Sequence, residues 1–310
     1  MGKIYNNITE LIGHTPIVEL HNYEKQIGAQ AKILAKLEFF NPAGSVKDRI
    51  ALNMILAKEA EGELKPGGTI IEGTSGNTGI GLAAVGAARG YSVKICMPDN
   101  LSVERRKLLK AFGAEVYLTP AKENMAGANA KAQELLAATD GATIMGQGGN
   151  PNNPGTHYKT TGPEIWEDTD GKIDILVATS GTGGTISGAG KFLREKNPEL
   201  TIIAVEPLGS NILNGGEPGP HKIQGIGGGA TPPVTDVSLF DEVFDVSDDD
   251  AYNTARALPM AVGFTIGISA GAALWAAGEV AKRPENKGKN IVVVVPDGGD
   301  HYLSGDLFEE

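Results

Sequence analysis

The sequence predicts an α/β fold with mostly parallel sheets. Short apolar segments alternate with longer segments of helical periodicity along the 310 residues, which is the order of elements in such folds. Several apolar segments are continuous, as in Ile291-Val-Val-Val-Val295, and do not alternate with polar residues. Continuous runs are typical of strands buried on both faces of a parallel sheet. Parallel neighbours then require right-handed crossover connections.

Each predicted strand is a short, largely apolar run. In chain order the predicted strands are Lys32–Leu37, Thr69–Glu72, Ser92–Met97, Glu115–Leu118, Thr143–Met145, Ile173–Ala178, Ile202–Glu206, Glu242–Val246 and Ile291–Val295. The longer segments between them have apolar residues at helical spacing. They predict helices at Val46–Ala60, Thr78–Arg89, Val103–Phe112, Ala126–Ala138, His157–Asp168, Gly184–Lys196, Asp248–Ala261 and Ala270–Lys282.

Two loop-rich stretches interrupt this alternation. Glycine, asparagine and proline crowd Gly146–Gly155, a composition that suits a crossing between domains. The stretch from Pro207 to Pro233 is too long for a simple connection, so we expect it to line a site or an interface.

Composition excludes several classes of function. The chain has 27 Lys and Arg against 38 Asp and Glu, a net charge of −11, and no basic run, so we expect no nucleic-acid partner. No apolar run is long enough to span a membrane and no apolar segment marks a secretory leader, so we expect no membrane association. The single cysteine, Cys96, rules out an internal disulfide and fits a cytoplasmic protein. The five histidines lack metal-ligand spacing, so we expect no metal site.

The segment Asn41–Arg49 places Lys47 after a Pro/Gly turn at the start of a predicted helix. A lysine held in this way can form a Schiff base with an aldehyde cofactor. The alternative is an ordinary capping box, with Ser45 as N-cap and Asp48 reaching back from the third helical position. Lys47 would then be a solvated residue of the first turn, mildly disfavoured by the helix dipole.

Two further segments have the composition of anion-binding loops. The first, Thr74–Gly79, lies between a predicted strand and a helix and presents hydroxyl, amide and backbone N–H groups suited to a carboxylate. The second, Thr179–Thr185, follows a strand, opens a helix and contains three glycines. Glycine lets a backbone approach a phosphate closely, so this loop predicts a phosphate site.

A dinucleotide-binding pattern competes with this interpretation. Gly79, Gly81 and Ala84 match Gly-x-Gly-x-x-Ala after a strand, and Asp99 follows 20 residues beyond Gly79, which leaves a dehydrogenase as an alternative. However, the added residues Thr74–Thr78 lengthen the turn. They move the two glycines into the helix, where we expect them to serve packing.

Ser269 precedes an alanine-rich segment and has two interpretations. It is well placed as the N-cap of a helix. Alternatively, its hydroxyl could bind the pyridine nitrogen of a cofactor.

Many short segments, taken in order, resemble the fold type II pyridoxal-phosphate (PLP) enzymes of β-replacement, and most closely the cysteine synthases, or O-acetylserine sulfhydrylases. The matching segments cover nearly the whole chain and are Leu11–Pro16, Lys36–Pro42, Ser45–Arg49, Thr74–Gly79, Glu104–Arg106, Thr160–Ile165, Gly181–Thr185, Gly219–Gly227, Gly267–Ser269 and Tyr302–Ser304. The resemblance implies two three-layer α/β domains with mostly parallel twisted sheets and PLP in the cleft between them. The smaller, N-terminal domain comprises 1–12 and 36–149. The larger, C-terminal domain comprises 13–35 and 150–310.

The resemblance also implies roles for individual residues. Lys47 binds PLP and acts in catalysis, Asn77 contacts the 3′-oxygen of the cofactor, and Ser269 meets its pyridine nitrogen. The phosphate is held by Gly181, Thr182, Gly183, Gly184 and Thr185. The substrate carboxylate is bound by Thr74, Ser75, Gly76, Asn77 and Thr78, with Gln147 nearby. The implied reaction converts O-acetyl-L-serine and sulfide to L-cysteine and acetate through an α-aminoacrylate, with Lys47 as general base.

The resemblance also implies a homodimer, with the C-terminal tail of serine acetyltransferase as a partner. Departures from the family pattern leave the nucleophile open. Gly148-Gly149 stands where an aromatic and an acidic residue are expected, Gly73 replaces proline, Thr179-Ser180 replaces Gly-Ile, and Ala270 replaces serine. An open wall at Gly148 makes a larger thiol an alternative, as in an O-acetylserine-dependent cystathionine β-synthase. A non-catalytic homologue that holds a peptide tail is a remote alternative.

Overall fold

A computed structural model describes residues 4–74, 76–100 and 102–309. The predicted α/β class with mostly parallel sheets is confirmed. The strands are β1 (Ile17–Glu19), β2 (Lys32–Leu37), β3 (Thr69–Gly73), β4 (Ser92–Pro98), β5 (Glu115–Thr119), β6 (Ala142–Ile144), β7 (Ile175–Thr179), β8 (Thr201–Pro207), β9 (Glu242–Val246) and β10 (Asn290–Val295).

The helices connect these strands. They are α1 (His21–Ile27), α2 (Lys47–Ala60), α3 (Asn77–Arg89), α4 (Val103–Ala111), α5 (Asn124–Ala138), α6 (Asn152–Lys159), α7 (Thr161–Asp168), α8 (Gly184–Lys196), α9 (Asp248–Val262) and α10 (Ile268–Lys282).

Contacts divide the chain into two units. Unit 1 comprises Met1–Ile12 and Asn41–Asn152, and unit 2 comprises Gly13–Phe40 and Asn153–Glu310. The first crossing falls between residues 12 and 13, and the other two, at 40/41 and 152/153, fall a few residues later than the 35/36 and 149/150 expected from the sequence. In unit 2, β2 runs on to Leu37 and continues into a 3₁₀ helix at Glu38–Phe40.

Unit 1 contains a four-stranded sheet in the order β5-β4-β3-β6, with all three pairings parallel. Its largest core cluster joins the sheet to α2 and α3 and includes Met54, Ile70, Leu82 and Ile95, each completely or almost completely buried. The approach of α2 to α3 positions the segments that begin at Lys47 and Asn77.

Unit 2 contains a six-stranded sheet in the order β1-β2-β10-β7-β8-β9. Only β1 pairs antiparallel among the described strands of this sheet. Val293 of β10 faces a core cluster with α10, whereas Val292 and Val294 face a second cluster with α8. The sheet is therefore buried on both faces, which explains the continuous valine run. Burying each such side chain contributes about 1.5–3 kcal/mol.

Three features of the fold differ from the sequence predictions. The sequence missed β1 and α1, because β1 has only three residues and α1 buries none of its seven. The single helix predicted at His157–Asp168 is two helices, α6 and α7, separated at Thr160. The backbone of Thr160 leaves the helical region there, with φ −127° and ψ −69°.

The described part of the chain holds no helix that is both long and apolar enough to cross a membrane.

Candidate active site

Lys47 is the first residue of α2, and the turn before it is fixed by two side chains. Ser45 accepts the Lys47 N–H at 3.2 Å, and Asp48 accepts the N–H of Ala43 at 2.6 Å. The predicted capping box is wrong in detail. The N-cap is Val46, which makes no side-chain cap bond, and the Asp48 carboxylate binds the N–H of Ala43 in the turn. The carboxylate of Asp48 instead holds the Pro/Gly turn against the start of the helix, which places Lys47.

Glycines in α3 allow close packing against neighbouring segments, including the first turn of α2. A Cβ on Gly81 would lie 3.2 Å from the carbonyl carbon and oxygen of Lys47. A Cβ on Gly79 would lie 2.9 Å from the side chain of Thr74 and 3.2 Å from that of Ile95. Both glycines lie inside α3 and serve packing, as expected, so the glycines of the dinucleotide pattern do not form a phosphate turn. The dehydrogenase alternative loses its motif.

The loop before α3 has groups that suit an anion. Thr74 is buried, and its hydroxyl oxygen accepts the N–H of Gly76 at 3.4 Å. Asn77 opens α3, whose first-turn N–H groups have no partners within the helix. The guanidinium of Arg105 lies 3.6 Å from where a Cβ on Gly76 would be. Helix dipole and guanidinium both favour a carboxylate here. Ser75, also predicted to bind it, lies outside the described residues.

Thr78 and Gln147 join this loop to the segment after β6. The Thr78 hydroxyl donates to Oε1 of Gln147 at 2.6 Å. The structure thus brings together two residues predicted to bind the same carboxylate from sequence positions 69 apart.

Glu72 is a residue of this region that the sequence reasoning missed. It is 3 % exposed at the end of β3, and its two carboxylate oxygens accept the N–H groups of Gly146 at 2.8 Å and Gln147 at 3.1 Å. Burial raises the pKa of this carboxyl, and the backbone N–H groups oppose that rise. The only sequence signal is a charged residue at the end of an otherwise apolar strand.

The loop Gly181–Thr185 lies in unit 2 and admits glycine alone at three positions. Gly183 has φ +71°, and its Cβ would lie 2.3 Å from the hydroxyl of Thr235. A Cβ on Gly181 would lie 2.5 Å from the carbonyl oxygen of Gly225, and one on Gly184 would lie 1.9 Å from Oδ1 of Asn153. Because α8 begins at Gly184, its first N–H groups face this tight loop. Such a loop suits a phosphate.

Side chains beneath this loop hold it in place. Asn153 donates to the Thr182 hydroxyl oxygen at 2.9 Å, and Thr235 donates to the Thr182 carbonyl at 2.9 Å. The buried ring of His157 lies 3.2 Å from the Thr185 hydroxyl through Nε2. Asn153, His157 and Thr235 were missed because their contacts with the loop span 28 to 53 residues of sequence.

Ser269 lies in the first turn of α10, not before it. The N-cap is Gly267, so the N-cap interpretation of Ser269 is wrong. Ser269 is 5 % exposed, and its Oγ lies 4.0 Å from where a Cβ on Gly225 would be. The carbonyl of Gly225 in turn abuts Gly181, so unit 2 brings the predicted phosphate loop and the predicted pyridine ligand to the same glycine.

A cavity of about 530 Å³ in unit 2 contains none of the predicted site residues. It lies beside Lys36, whose fully buried ammonium is 2.9 Å from Glu164 and 3.1 Å from Asp168 and donates to the carbonyl of Thr15 at 2.6 Å. This buried lysine is committed to ion pairs with Glu164 and Asp168.

A helix-start lysine, a loop suited to a carboxylate and a glycine loop suited to a phosphate are the elements that a pyridoxal-phosphate enzyme requires. Residues 8–297 match the family described as pyridoxal-phosphate dependent enzyme, and the chain belongs to that family. It depends on PLP accordingly.

Comparison with individual proteins shows which members of the family this chain resembles. The chain is 49 % identical to the cysteine synthase of Staphylococcus aureus strain Mu50 over 307 residues, 99 % of this chain and 98 % of the relative. The crystal structure of the cysteine synthase of Entamoeba histolytica matches with a TM-score of 0.94 and 46 % identity, over 99 % of this chain and 91 % of that one. A hydrogen sulfide-producing enzyme from Fusobacterium nucleatum matches with a TM-score of 0.93 and 43 % identity, over 97 % and 100 %. The predicted resemblance to cysteine synthases is confirmed.

Proposed function

We propose that this chain is a cysteine synthase that converts O-acetyl-L-serine and sulfide to L-cysteine and acetate by PLP-dependent β-replacement. The observation that carries the proposal is the 49 % identity to cysteine synthase over 99 % of the chain. The structure supports it with a hydroxyl- and amide-rich loop at the start of α3 and a glycine loop at the start of α8, each suited to one anion of the reaction.

Lys47 is proposed as the Schiff-base lysine and as the general base that removes the α-proton of the substrate. The bound cofactor supplies an electron sink that makes that proton acidic. After acetate has left and sulfide has added, the same amine returns a proton to the α-carbon. Support comes from the fixed turn at Ala43–Asp48, which holds the lysine at the first position of α2.

The other residues bind and orient. We assign the substrate carboxylate to Thr74, Ser75, Gly76, Asn77, Thr78 and Gln147, with Asn77 also contacting the cofactor oxygen. We assign the cofactor phosphate to Gly181, Thr182, Gly183, Gly184 and Thr185, and the pyridine nitrogen to Ser269. A neutral hydroxyl at that nitrogen leaves the ring unprotonated, which suits elimination of a good leaving group such as acetate.

A larger thiol is the second candidate nucleophile. A Cβ on Gly148 or Gly149 would meet no atom within 4 Å, and neither residue has the positive φ that favours glycine. Neither backbone nor packing therefore demands glycine, and the two positions leave open space beside Gln147. The Fusobacterium relative, 43 % identical, is named for producing hydrogen sulfide and not as a cysteine synthase, which supports testing more than one thiol.

A product assay distinguishes the two candidates. Purified holoenzyme is given O-acetylserine with sulfide, homocysteine or cysteine in turn, and the amino-acid products are identified. Cysteine as the dominant product supports the proposal. Cystathionine as the dominant product would mean that homocysteine, and not sulfide, is the nucleophile. If no acetate is released with any thiol, β-replacement is refuted.

We also propose a homodimer located in the cytoplasm, with the C-terminal tail of serine acetyltransferase as a ligand of the substrate loop. Support comes from the family resemblance alone. Sedimentation of the holoenzyme tests the dimer, and a titration with the tail peptide that displaces bound L-cysteine tests the partner. A monomer in sedimentation contradicts the proposed dimer. A peptide that leaves L-cysteine bound contradicts the proposed partner.

A further inference from the structure

Glu72 lies one residue beyond the last pair between β3 and β6, although it still pairs with Ile95 of β4 on its other side. β3 pairs with β6 through Ile71 opposite Ile144, and the chain after Ile144 then leaves the ladder. Beyond that point the Glu72 carboxylate binds the departing backbone. One of its oxygens accepts the N–H of Gly146 and the other accepts the N–H of Gln147. Two consecutive N–H groups held by one carboxylate fix the position and the direction of the backbone between them.

This arrangement is costly in a buried position. Burial raises the pKa of Glu72 because the charged form loses its hydration, and the N–H groups of Gly146, Gln147 and Met145 compensate only in part. An apolar side chain would fill the end of a strand without that cost. What the carboxylate adds is control over the loop that begins at Gly146.

The controlled loop carries a proposed substrate ligand. Gln147 accepts the Thr78 hydroxyl at 2.6 Å, and Thr78 belongs to the first turn of α3 in the loop assigned to the substrate carboxylate. A chain of contacts thus runs from the Glu72 carboxylate to the Gln147 backbone, from there to the Gln147 amide, and finally to Thr78. A rotation of the Gln147 backbone would displace its amide and release the Thr78 hydroxyl.

We propose that Glu72 is a positioning residue for recognition of the substrate carboxylate, acting through Gln147. This inference rests on the proposed function, since it requires an amino-acid substrate bound at Thr74–Thr78. It assigns to Glu72 no contact with substrate or cofactor.

The test compares Glu72→Gln with wild-type holoenzyme. Glutamine keeps the shape but can accept only one of the two N–H bonds, because its other terminal atom is a donor. Affinity is measured from the change in cofactor absorbance on adding L-cysteine or its methyl ester, which lacks the carboxylate charge. The preference for the acid over the ester should fall about 10-fold in Glu72→Gln, with PLP content unchanged.

A double-mutant cycle separates positioning from general damage. In a Gln147→Ala background, Glu72→Gln should no longer change the acid-to-ester preference, because the residue through which it acts is gone. Asp174→Asn is the matched control: Asp174 accepts one backbone N–H, that of Asn290, at 2.8 Å in unit 2. It should leave the preference unchanged in both backgrounds.

Three outcomes overturn the proposal. The preference could be unchanged in Glu72→Gln, it could fall equally with and without Gln147, or it could fall only together with PLP content. If the wild-type enzyme binds L-cysteine no better than its ester, the assigned carboxylate site is itself wrong. That result distinguishes a failure of the proposed function from a failure of the role given to Glu72. If Glu72→Gln does not fold, Glu72→Asp replaces it in the same measurements. Aspartate keeps the negative charge but is one methylene shorter, so its carboxylate lies farther from the two N–H groups.

Discussion

Thr78 donates its hydroxyl hydrogen to Oε1 of Gln147 at 2.6 Å. Thr78 is 2 % exposed in the first turn of α3, and Gln147 follows β6, so the bond fixes two neighbouring segments of unit 1 relative to each other. The separate sequence assignments of Thr78 and Gln147 to one carboxylate thereby gain a geometric basis.

Removing this hydroxyl should weaken substrate binding without loss of cofactor. Thr78→Val keeps the shape of the side chain, so PLP content should stay the same, while KM for O-acetylserine rises about 10-fold because Gln147 loses the hydrogen bond that positions it. Steady-state kinetics with each substrate measure the effect. Thr143→Val, which removes a hydroxyl bond of 2.9 Å to the Glu63 carbonyl in the same unit, is the control and should leave KM near the wild-type value. An unchanged KM in Thr78→Val would contradict the assignment.

Lys47 should carry the cofactor. Borohydride reduction of the holoenzyme and peptide mapping should place the pyridoxyl label on Lys47, and Lys47→Ala should abolish both label and turnover. Lys36 is the informative comparison, because its fully buried ammonium already contacts Glu164 and Asp168. A label on Lys36 or on the exposed Lys191 would refute the assignment.

The phosphate loop can be tested with a control matched for backbone strain. Gly183 has φ +71° and a Cβ position 2.3 Å from Thr235, whereas Gly263 has φ +80° with nothing within 4 Å. Aspartate at either position costs roughly 1–2 kcal/mol of backbone strain, because an L side chain in the left-handed region crowds the next carbonyl. Gly183→Asp should also lose PLP and the yellow colour, because it fills the loop and adds a negative charge. Gly263→Asp should keep PLP. Equal PLP content in the two variants would mean that the loop does not hold the phosphate.

The sequence predicted well those features that depend on neighbouring residues. The helix start at Lys47, the strand-to-helix turns and the packing role of Gly79 and Gly81 all follow from local composition. The caps at Ser45 and Ser269 were wrong, because a cap depends on where the helix begins to within one residue. Asp48 binds Ala43 instead, five residues back.

Residues that support the site from a distance could not be predicted. Glu72 binds the backbone at Gly146 and Gln147, 74 and 75 residues away. Gly73, which departs from the family's proline, has its Cβ position 2.4 Å from Oδ1 of Asn129 in α5. Such contacts depend on how a helix is placed on the sheet, and one sequence carries no local signal of that placement.

An ion pair in unit 1 should give a defined pH dependence of stability. Arg89 donates to both carboxylate oxygens of Glu59, at 2.9 and 2.5 Å, and Tyr91 donates to one of them at 2.7 Å. The Arg89 hydrogen bonds lower the pKa of Glu59 below its usual value of 4.5. The stabilisation is therefore present above the unfolded pKa and is lost as pH falls through the folded one.

Arg89→Met should accordingly destabilise unit 1 by about 1 kcal/mol near neutral pH, and by progressively less as pH falls through the folded pKa of Glu59. Urea unfolding at a series of falling pH values measures the difference from wild type. Lys110→Met in α4 is the control and should change stability little across the series. A deficit in Arg89→Met that does not shrink as pH falls would show that packing, not the ion pair, is responsible.

The open positions after Gln147 should determine selectivity between nucleophiles. Because a Cβ on Gly148 meets nothing within 4 Å and its φ is outside the left-handed region, a side chain there is accommodated without strain. Two effects of Gly148→Phe then need separating. An aromatic side chain would occupy the space available to a large thiol. Replacing glycine also stiffens the loop, because glycine has more backbone freedom to lose than other residues. Relative to alanine, ordering a glycine costs about 0.5–1 kcal/mol.

Gly148→Ala separates the two, because it stiffens the backbone and leaves the space nearly open. We expect sulfide to be a substrate of the wild type, with weak selectivity against bulkier thiols. Gly148→Phe should lower kcat/KM for homocysteine about 10–200-fold more than for sulfide, the range that a contact in a substrate pocket provides. Gly148→Ala should change the two rates together or not at all. If alanine shifts the ratio as much as phenylalanine does, loop stiffness and not the wall sets selectivity. If phenylalanine lowers both rates equally, Gly148 has no part in the choice of nucleophile.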